Sequence, residues 1–143
     1  FSWRNLSVRS QFNYSYGNKL FNNQLFFQEN HGFANFNQRT KMLNIWQEPG
    51  DITEIQSPEF PRQFSSKDIE DASYVRFRNI MVSYTLPGRY FNNEVRNIRL
   101  FVQGQNLYTW TAFTGFDPEE GNNIAQYSYP LPRIFTAGID INF

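Results

Sequence analysis

The sequence has no cysteine and a single histidine, His31. The first absence removes disulfides, thiolate metal sites and cysteine nucleophiles; the second leaves too few imidazoles for a histidine-based metal cluster. No run of about eighteen apolar residues exists, which excludes spanning a bilayer by a helix. Excess charge of either sign is missing as well. Lys and Arg total 13 and so do Asp and Glu, so nothing electrostatic points to nucleic acid as a partner. The groupings of catalysis are also lacking: no Ser/His/Asp set with a credible histidine, no glycine-rich phosphate cradle, no metal-ligand spacing. The chain reads as non-enzymatic and without a cofactor.

Aromatic residues are what it has in excess. Phe (16), Tyr (8) and Trp (3) make up 19% of 143 residues. That is high for a globular domain and habitual in outer-membrane barrels, whose strands carry interfacial aromatic girdles. The mean hydropathy of −0.60 does not oppose this, because barrel strands are half polar by construction. The chain opens Phe1-Ser2-Trp3 without an initiator methionine and is expected to be an interior or processed piece of a longer protein.

Residues 133–143 alternate cleanly. Phe135, Ala137, Ile139, Ile141 and Phe143 share one face; Ile134, Thr136, Gly138, Asp140 and Asn142 share the other. Ending a strand on an aromatic residue suits the closing strand of a barrel. Residues 6–17 alternate equally well, with Leu6, Val8, Phe12, Tyr14 and Tyr16 against Ser7, Arg9, Gln11 and Asn13. Further strands are expected over 74–86 and 98–110. The first of these changes phase, with Val75 and Phe77 on one parity and Ile80, Val82, Tyr84 and Leu86 on the other. One extra residue near Arg78-Asn79, a β-bulge, would return them to one face. A short helix is expected within 36–46, ended by Pro49-Gly50.

The connections alternate in length: a tight turn at Arg4-Asn5, a long loop over 18–71, a turn over 87–97 and a second long loop over 111–131. Long loops outside and short turns in the periplasm are the asymmetry of an outer-membrane barrel. Trp3 and Phe91 then fall near the inner interface, and Tyr16, Tyr74, Tyr108 and Trp110 near the outer one.

Several segments resemble, in order, the SusC/RagA family of TonB-dependent outer-membrane transporters. They are Asp71-Ala-Ser-Tyr-Val-Arg-Phe-Arg-Asn-Ile-Met-Val-Ser-Tyr-Thr-Leu-Pro87, Ile98-Arg-Leu-Phe-Val-Gln-Gly-Gln-Asn-Leu-Tyr-Thr-Trp-Thr111, Gly115-Phe-Asp-Pro-Glu119, Tyr129-Pro-Leu-Pro-Arg133 and the ending from Gly138 to Phe143. Tyr16-Gly17-Asn18 and Trp46 to Asp51 fit upstream. Ile45 departs from the family, which has Arg there, and so does Gln56-Ser57-Pro58, where the family reaches Ile-Pro. The resemblance implies an all-β, transmembrane antiparallel barrel of about twenty-two strands, of which this chain would be the last four and a stub, without plug domain. It implies import of oligosaccharide (glycan) or peptide, a SusD-like surface lipoprotein as partner, energy from the TonB complex through an N-terminal part absent here, and residence in outer-membrane lipid.

Gly138, Ile141 and Phe143 resemble the signal read by the outer-membrane assembly machinery. Arg9, Gln11, Asn13, Arg76 and Arg78 are candidate lumen or substrate contacts, weighed against plain wall residues. Phe26, Phe27 and Trp46 are candidate loop contacts to substrate or lid, weighed against simple loop packing. Asp117, Glu119 and Glu120 form an oxygen-rich loop, but Pro118 and a spacing unlike an EF-hand favour a structural turn over a metal site. Two other readings stand beside the importer: a secreted sugar-binding β-sandwich and an outer-membrane barrel enzyme.

Overall fold

The computed structural model describes residues 1–60, 62–91 and 95–143. Pro61 and residues 92–94, which fall within the turn expected over 87–97, lie outside the described residues. In chain order the strands are β1 (Ser2–Trp3), β2 (Leu6–Ser15), β3 (Lys19–Asn22), β4 (Ile69–Asp71), β5 (Tyr74–Pro87), β6 (Asn97–Thr111), β7 (Ile124–Ala125) and β8 (Ile134–Asn142). They divide between two compact units: Phe1–Tyr16, Tyr74–Thr111 and Leu131–Phe143 make one, Gly17–Ser73 and Ala112–Pro130 the other.

The first unit is an antiparallel sheet of order β1-β2-β5-β6-β8. Side chains of directly paired residues project to the same side, so register decides what each face contains. Leu6, Tyr84, Leu100 and Ile139 form one row, Val8, Val82, Val102 and Ala137 the next, and Ser10, Ile80, Gly104 and Phe135 a third. The same face continues with Phe12, Phe77 and Tyr108, then Tyr14, Val75 and Trp110. The rings of Phe12 and Phe77 stack at 4.6 Å. The opposite face has rows of Arg9, Met81, Gln103 and Thr136, of Gln11, Asn79, Gln105 and Ile134, and of Asn13, Arg76 and Thr109. Apolar residues therefore coincide across four strands, and so do most polar ones.

The register breaks where the phase switch predicts. Gln11 faces Asn79 while Phe12 faces Phe77, so β5 carries one extra residue, Arg78, against β2. On its other side Asn79 faces Gln105 and Phe77 faces Tyr108, which sets Asn106 and Leu107 against Arg78 alone, one residue more in β6. Asn106 takes a left-handed backbone, φ +52°, which asparagine tolerates better than most residues. Its side-chain oxygen accepts from Arg78 at 3.2 Å, and its amide nitrogen donates to the Pro132 carbonyl at 3.2 Å. Gly104 leaves room for Leu107, whose side chain would lie 2.9 Å from a Cβ at that position.

Two large aromatics sit on the polar face, Tyr74 in the row of Ser15 and Thr111, and Phe101. Phe101 pairs with Gly138, and a Cβ on Gly138 would fall 2.5 Å from its ring. The ring lies over the glycine of the neighbouring strand. At the chain's start, the tight turn at Arg4-Asn5 holds Arg4 at φ +51° with its guanidinium over the Trp3 ring. β2 ends two residues before the expected limit because Gly17, at φ +77°, turns the chain.

The second unit, spanning the long connections expected over 18–71 and 111–131, carries short elements of its own. β3 is the centre of a sheet of order β4-β3-β7, antiparallel to β4 and parallel to β7. Leu20, Ala72, Phe113 and Ala125 form its buried core. Helix α1 (Asn23–Gln28) follows β3 directly, and the Asn22 side chain caps it by accepting from the Leu25 amide at 3.1 Å. The helix expected within 36–46 is reduced to a 3-10 turn, Thr40–Leu43. Its would-be first half is extended at Arg39, whose amide is spent on the Gln28 carbonyl at 3.0 Å.

Asn106→Ala removes both side-chain bonds and the tolerance for positive φ. It should lower unfolding free energy of the full-length protein by roughly 1–3 kcal/mol, measured from the urea midpoint. Asn106→Gly should recover part of the loss.

Candidate functional site

Two surfaces bring sequence-predicted residues together. The first is the polar face of the five-stranded sheet, where Arg9, Gln11, Asn13 and Arg76 lie in successive rows. Gln11 donates to the Asn13 side-chain oxygen at 3.3 Å, and Gln103 to that of Asn79 at 3.0 Å. Arg76 is buried; its Nε donates to the Thr109 hydroxyl at 3.0 Å, and its guanidinium stands 5.5 Å from the centre of the Tyr74 ring. Arg78 is engaged at the bulge by Asn106. Arg9 is exposed. This face therefore combines positive charge with amide donors and acceptors.

The second surface belongs to the unit formed by 17–73 and 112–130. Phe26 packs inward: it is buried and stacked on Phe64 at 4.1 Å, with the Arg62 guanidinium over its ring. That position fits loop packing, not contact with a ligand. Phe27 is partly exposed and meets Phe33 edge-on at 4.6 Å; Phe33 also contacts Phe36 at 6.4 Å. Phe27, Gln28, Phe36, Asn37 and Tyr127 enclose a groove of about 450 Å³. Tyr127 has φ +54°, and burial pushes its phenol up from the ordinary value. Trp46 donates its amide to Ile55 at 3.0 Å and lines a separate groove of about 380 Å³ with Phe60.

Beneath these aromatics lies a buried ionic cluster. The Asp68 carboxylate is fully buried and bonded to Arg62, and the Ser65 amide donates to it at 3.3 Å. Arg62 also donates to the carbonyls of Leu25 at 3.0 Å and Glu29 at 3.2 Å, and the buried Glu29 carboxylate lies 3.7 Å from Arg62 and 3.4 Å from Arg39. At the edge of the β3–β4 pair, the Ser73 hydroxyl, Lys19 and the Ser73 amide hold the Asp71 carboxyl well below the usual carboxylate range.

Asp117 is buried and accepts from the Glu119 amide at 2.9 Å, a turn closed by a side chain. Among the described residues no three His, Cys, Asp or Glu side chains are grouped to share an ion. In β8, Gly138 lies under Phe101, Ile141 pairs with Ile98, and Phe143 is exposed beyond the last paired residue.

No family model matches the chain. Solved structures do. The RagAB peptide importer, in its open-open and closed-closed states, superimposes with a TM-score of 0.92 at 34% identity over 99% of this chain. Among curated proteins, the TonB-dependent receptor P3 of Formosa agariphila is 30% identical over 155 residues, and the TonB-dependent receptor P26 of the same organism is 27% identical over 165. The chain belongs to the SusC/RagA family of TonB-dependent outer-membrane receptors. It covers 99% of itself but only 15% and 16% of those two receptors, and 16% of the RagAB chain. The amphipathic sheet is accordingly a piece of an outer-membrane β-barrel. On its apolar face Val102 is 59% exposed, Ile139 64% and Phe135 73%, the side that meets lipid in such a barrel.

Sequence reasoning missed the ionic cluster and the Phe36–Tyr127 groove of this receptor. Arg62 and Asp68 are near in sequence, but Glu29 and Tyr127 are not, and no spacing links them. Arg62→Ala strands the buried carboxylates of Asp68 and Glu29, at a cost of about 3–5 kcal/mol to this unit. Limited proteolysis of the full-length receptor should then cut within 40–67 at protease levels that leave the wild type intact.

Proposed function

We propose that the chain is part of the wall and outer loops of an active importer that takes up oligosaccharides or peptides across the outer membrane. The observation that carries this reading is the register of the sheet, which sets a continuous lipid-type face against a face bearing Arg9, Gln11, Asn13 and Arg76. A wall of that kind separates lipid from a wet lumen. Its polar residues act as contacts along the solute's path, with Arg78 held back to brace the bulge. The long connections, 17–73 and 112–130, are the outer loops; the turns at Arg4-Asn5 and beyond Pro87 face the periplasm. Phe27 and Trp46 are exposed enough to meet a solute or a lid, while Phe26 supports them from within.

By similarity to the RagAB importer and the Formosa receptors, a SusD-like surface lipoprotein closes the outer end and TonB supplies the energy. The protein binds and transports; it does not catalyse. Deleting the receptor gene should abolish growth on the imported oligomer but not on its monomer, with restoration by the intact gene. Equal growth of the deletion strain on every oligomer would refute the importer.

Gly138, Ile141 and Phe143 are read as the assembly signal. Phe143→Ser should reduce folded receptor in the outer membrane several-fold, seen as loss of the heat-modifiable band on gels. Normal amounts of folded variant would return these residues to the role of an ordinary strand.

A further inference from the structure

We propose that Arg4, Arg89 and Arg96, at one edge of the five-stranded sheet, bind the phosphate of an anionic glycerophospholipid in the leaflet nearest the periplasm. The assignment rests on the importer reading, which turns this edge toward the periplasm, and adds a lipid partner to the wall.

Neighbouring strands end together here. The Thr85 amide donates to the Asn5 carbonyl at 2.9 Å, the Gly88 amide to the Arg96 carbonyl at 2.8 Å, and the Arg96 amide to the Asn142 carbonyl at 2.8 Å. The β1–β2 turn, the end of β5, the start of β6 and the end of β8 are thus laced side by side. With about 4.8 Å between neighbours, β2 and β6 stand roughly 10 Å apart along this edge. The lipid-facing side changes character as it reaches them. Trp3 pairs with Leu6 and so shares the side of Tyr84, Leu100 and Ile139. Its neighbour in the turn is Arg4. In β6 the same parity runs back through Leu100 and Ile98, and at its next position stands Arg96, exposed.

Two of the three guanidiniums lie over exposed rings. Arg4 is 4.9 Å from the centre of Trp3, which is 59% exposed, and Arg89 is 5.2 Å from that of Tyr90, 63% exposed. A guanidinium stacked in this way keeps its N–H edge free to donate, and a phosphate can accept two such bonds at once. Trp and Tyr settle at the depth of the headgroups, so each ring holds its arginine at the level of the phosphates. Nothing else claims these charges. Among the described residues no carboxylate forms an ion pair with Arg4, Arg89 or Arg96, whereas Arg99, further along β6, has Asp140 at 3.9 Å. Glu94, from the same turn as Arg96, lies outside the described residues. At the other end of the lipid-facing side, the row Tyr14, Val75 and Trp110 holds aromatics without a cation. The cations therefore belong to one leaflet. Free phosphate would meet the charges but gain nothing from the exposed rings. A zwitterionic headgroup brings an ammonium of its own, which the arginines repel.

Native mass spectrometry of the full-length receptor tests the idea, with phosphatidylglycerol, phosphatidylcholine, lipid A and inorganic phosphate as probes. The wild type is compared with the triple variant Arg4→Gln, Arg89→Gln, Arg96→Gln. Retained phosphatidylglycerol should fall about five-fold for each arginine exchanged, and phosphatidylcholine should be retained alike by both proteins. Lysine at the three positions keeps the charge without the stacked fork and should fall between them. Heat-modifiability on gels checks that the variants fold, and the single exchange Arg4→Gln, in an exposed turn, serves if the triple variant does not. Equal retention of phosphatidylglycerol by wild type and variant would overturn the assignment, and so would an equal loss of phosphatidylcholine. Displacement of the lipid by equimolar inorganic phosphate would overturn it as well, leaving a free-anion site. If lipid A depends on the arginines and phosphatidylglycerol does not, this edge faces outward, and the orientation of the wall is lost with the assignment. Growth of the deletion strain on the oligomer judges the importer separately: if the deletion abolishes growth while the arginines leave every lipid unaffected, the importer stands and the lipid site alone falls.

Discussion

Everything in the sheet depends on one constraint: a strand against lipid can satisfy its backbone only sideways, through its neighbours. Water offers no alternative partner there, so pairing and side-chain placement are decided together. Slipping β5 by one residue against β2 would keep most hydrogen bonds but exchange the faces. Val82 and Ile80 would then share a side with Arg9, and Arg76 would turn toward lipid, where a charged residue at mid-depth costs about 2–4 kcal/mol. The rows Leu6–Tyr84–Leu100–Ile139 and Val8–Val82–Val102–Ala137 are thus both the consequence of the register and the reason it is unique.

The bulge shows how a local irregularity serves that constraint. The sequence of β5 changes phase at Arg78, and without compensation half the strand would present the wrong face. Compensation involves both neighbours: β2 pairs past the extra residue, and β6 takes up the difference at Asn106 and Leu107. The run Gly104-Gln-Asn-Leu-Tyr108 then acquires separate physical reasons. Gly104 admits the Leu107 side chain, Asn106 accepts the left-handed backbone and ties Arg78 to Pro132, and Tyr108 rejoins the apolar row. Gly138 likewise has a packing reason, since the Phe101 ring fills the space a Cβ would occupy.

The sheet was legible in the sequence because its strands are long. In β2 and β8 the alternation repeats often enough to exceed chance, and in β5 even the defect could be placed. The second unit was not legible, for a matching reason. β3, β4 and β7 have four, three and two residues, too few to establish a period, and the β3–β7 pairing joins segments about a hundred residues apart in the chain. Helix α1 has six residues, shorter than any periodic window, although Asn22 before Leu25 was a capping signal available to be read. The expected helix at 36–46 had the right spacing of apolar residues, yet its Arg39 amide was needed elsewhere. Of the candidate contacts in strands, Arg9, Gln11, Asn13 and Arg76 share one face of the sheet, whereas Arg78 is the bulged residue. Phe26 and Phe27, adjacent in sequence, separated into a buried and a partly exposed residue, which only tertiary packing could decide.

The second unit carries its own small core and its own buried ions, and this changes what a long connection can do. A loose loop loses conformational entropy when it orders around a ligand. In 17–73 and 112–130 much of that ordering is already complete before any ligand arrives: Leu20, Ala72, Phe113 and Ala125 pack together, Arg62 joins Asp68 and Glu29, and Gln38 ties the Phe27, Phe33 and Phe36 carbonyls. Exposed side chains such as Phe36 therefore start from a backbone already fixed. Variation at those positions can alter what is recognised without disturbing the strand register, because the sheet draws its uniqueness from its own rows.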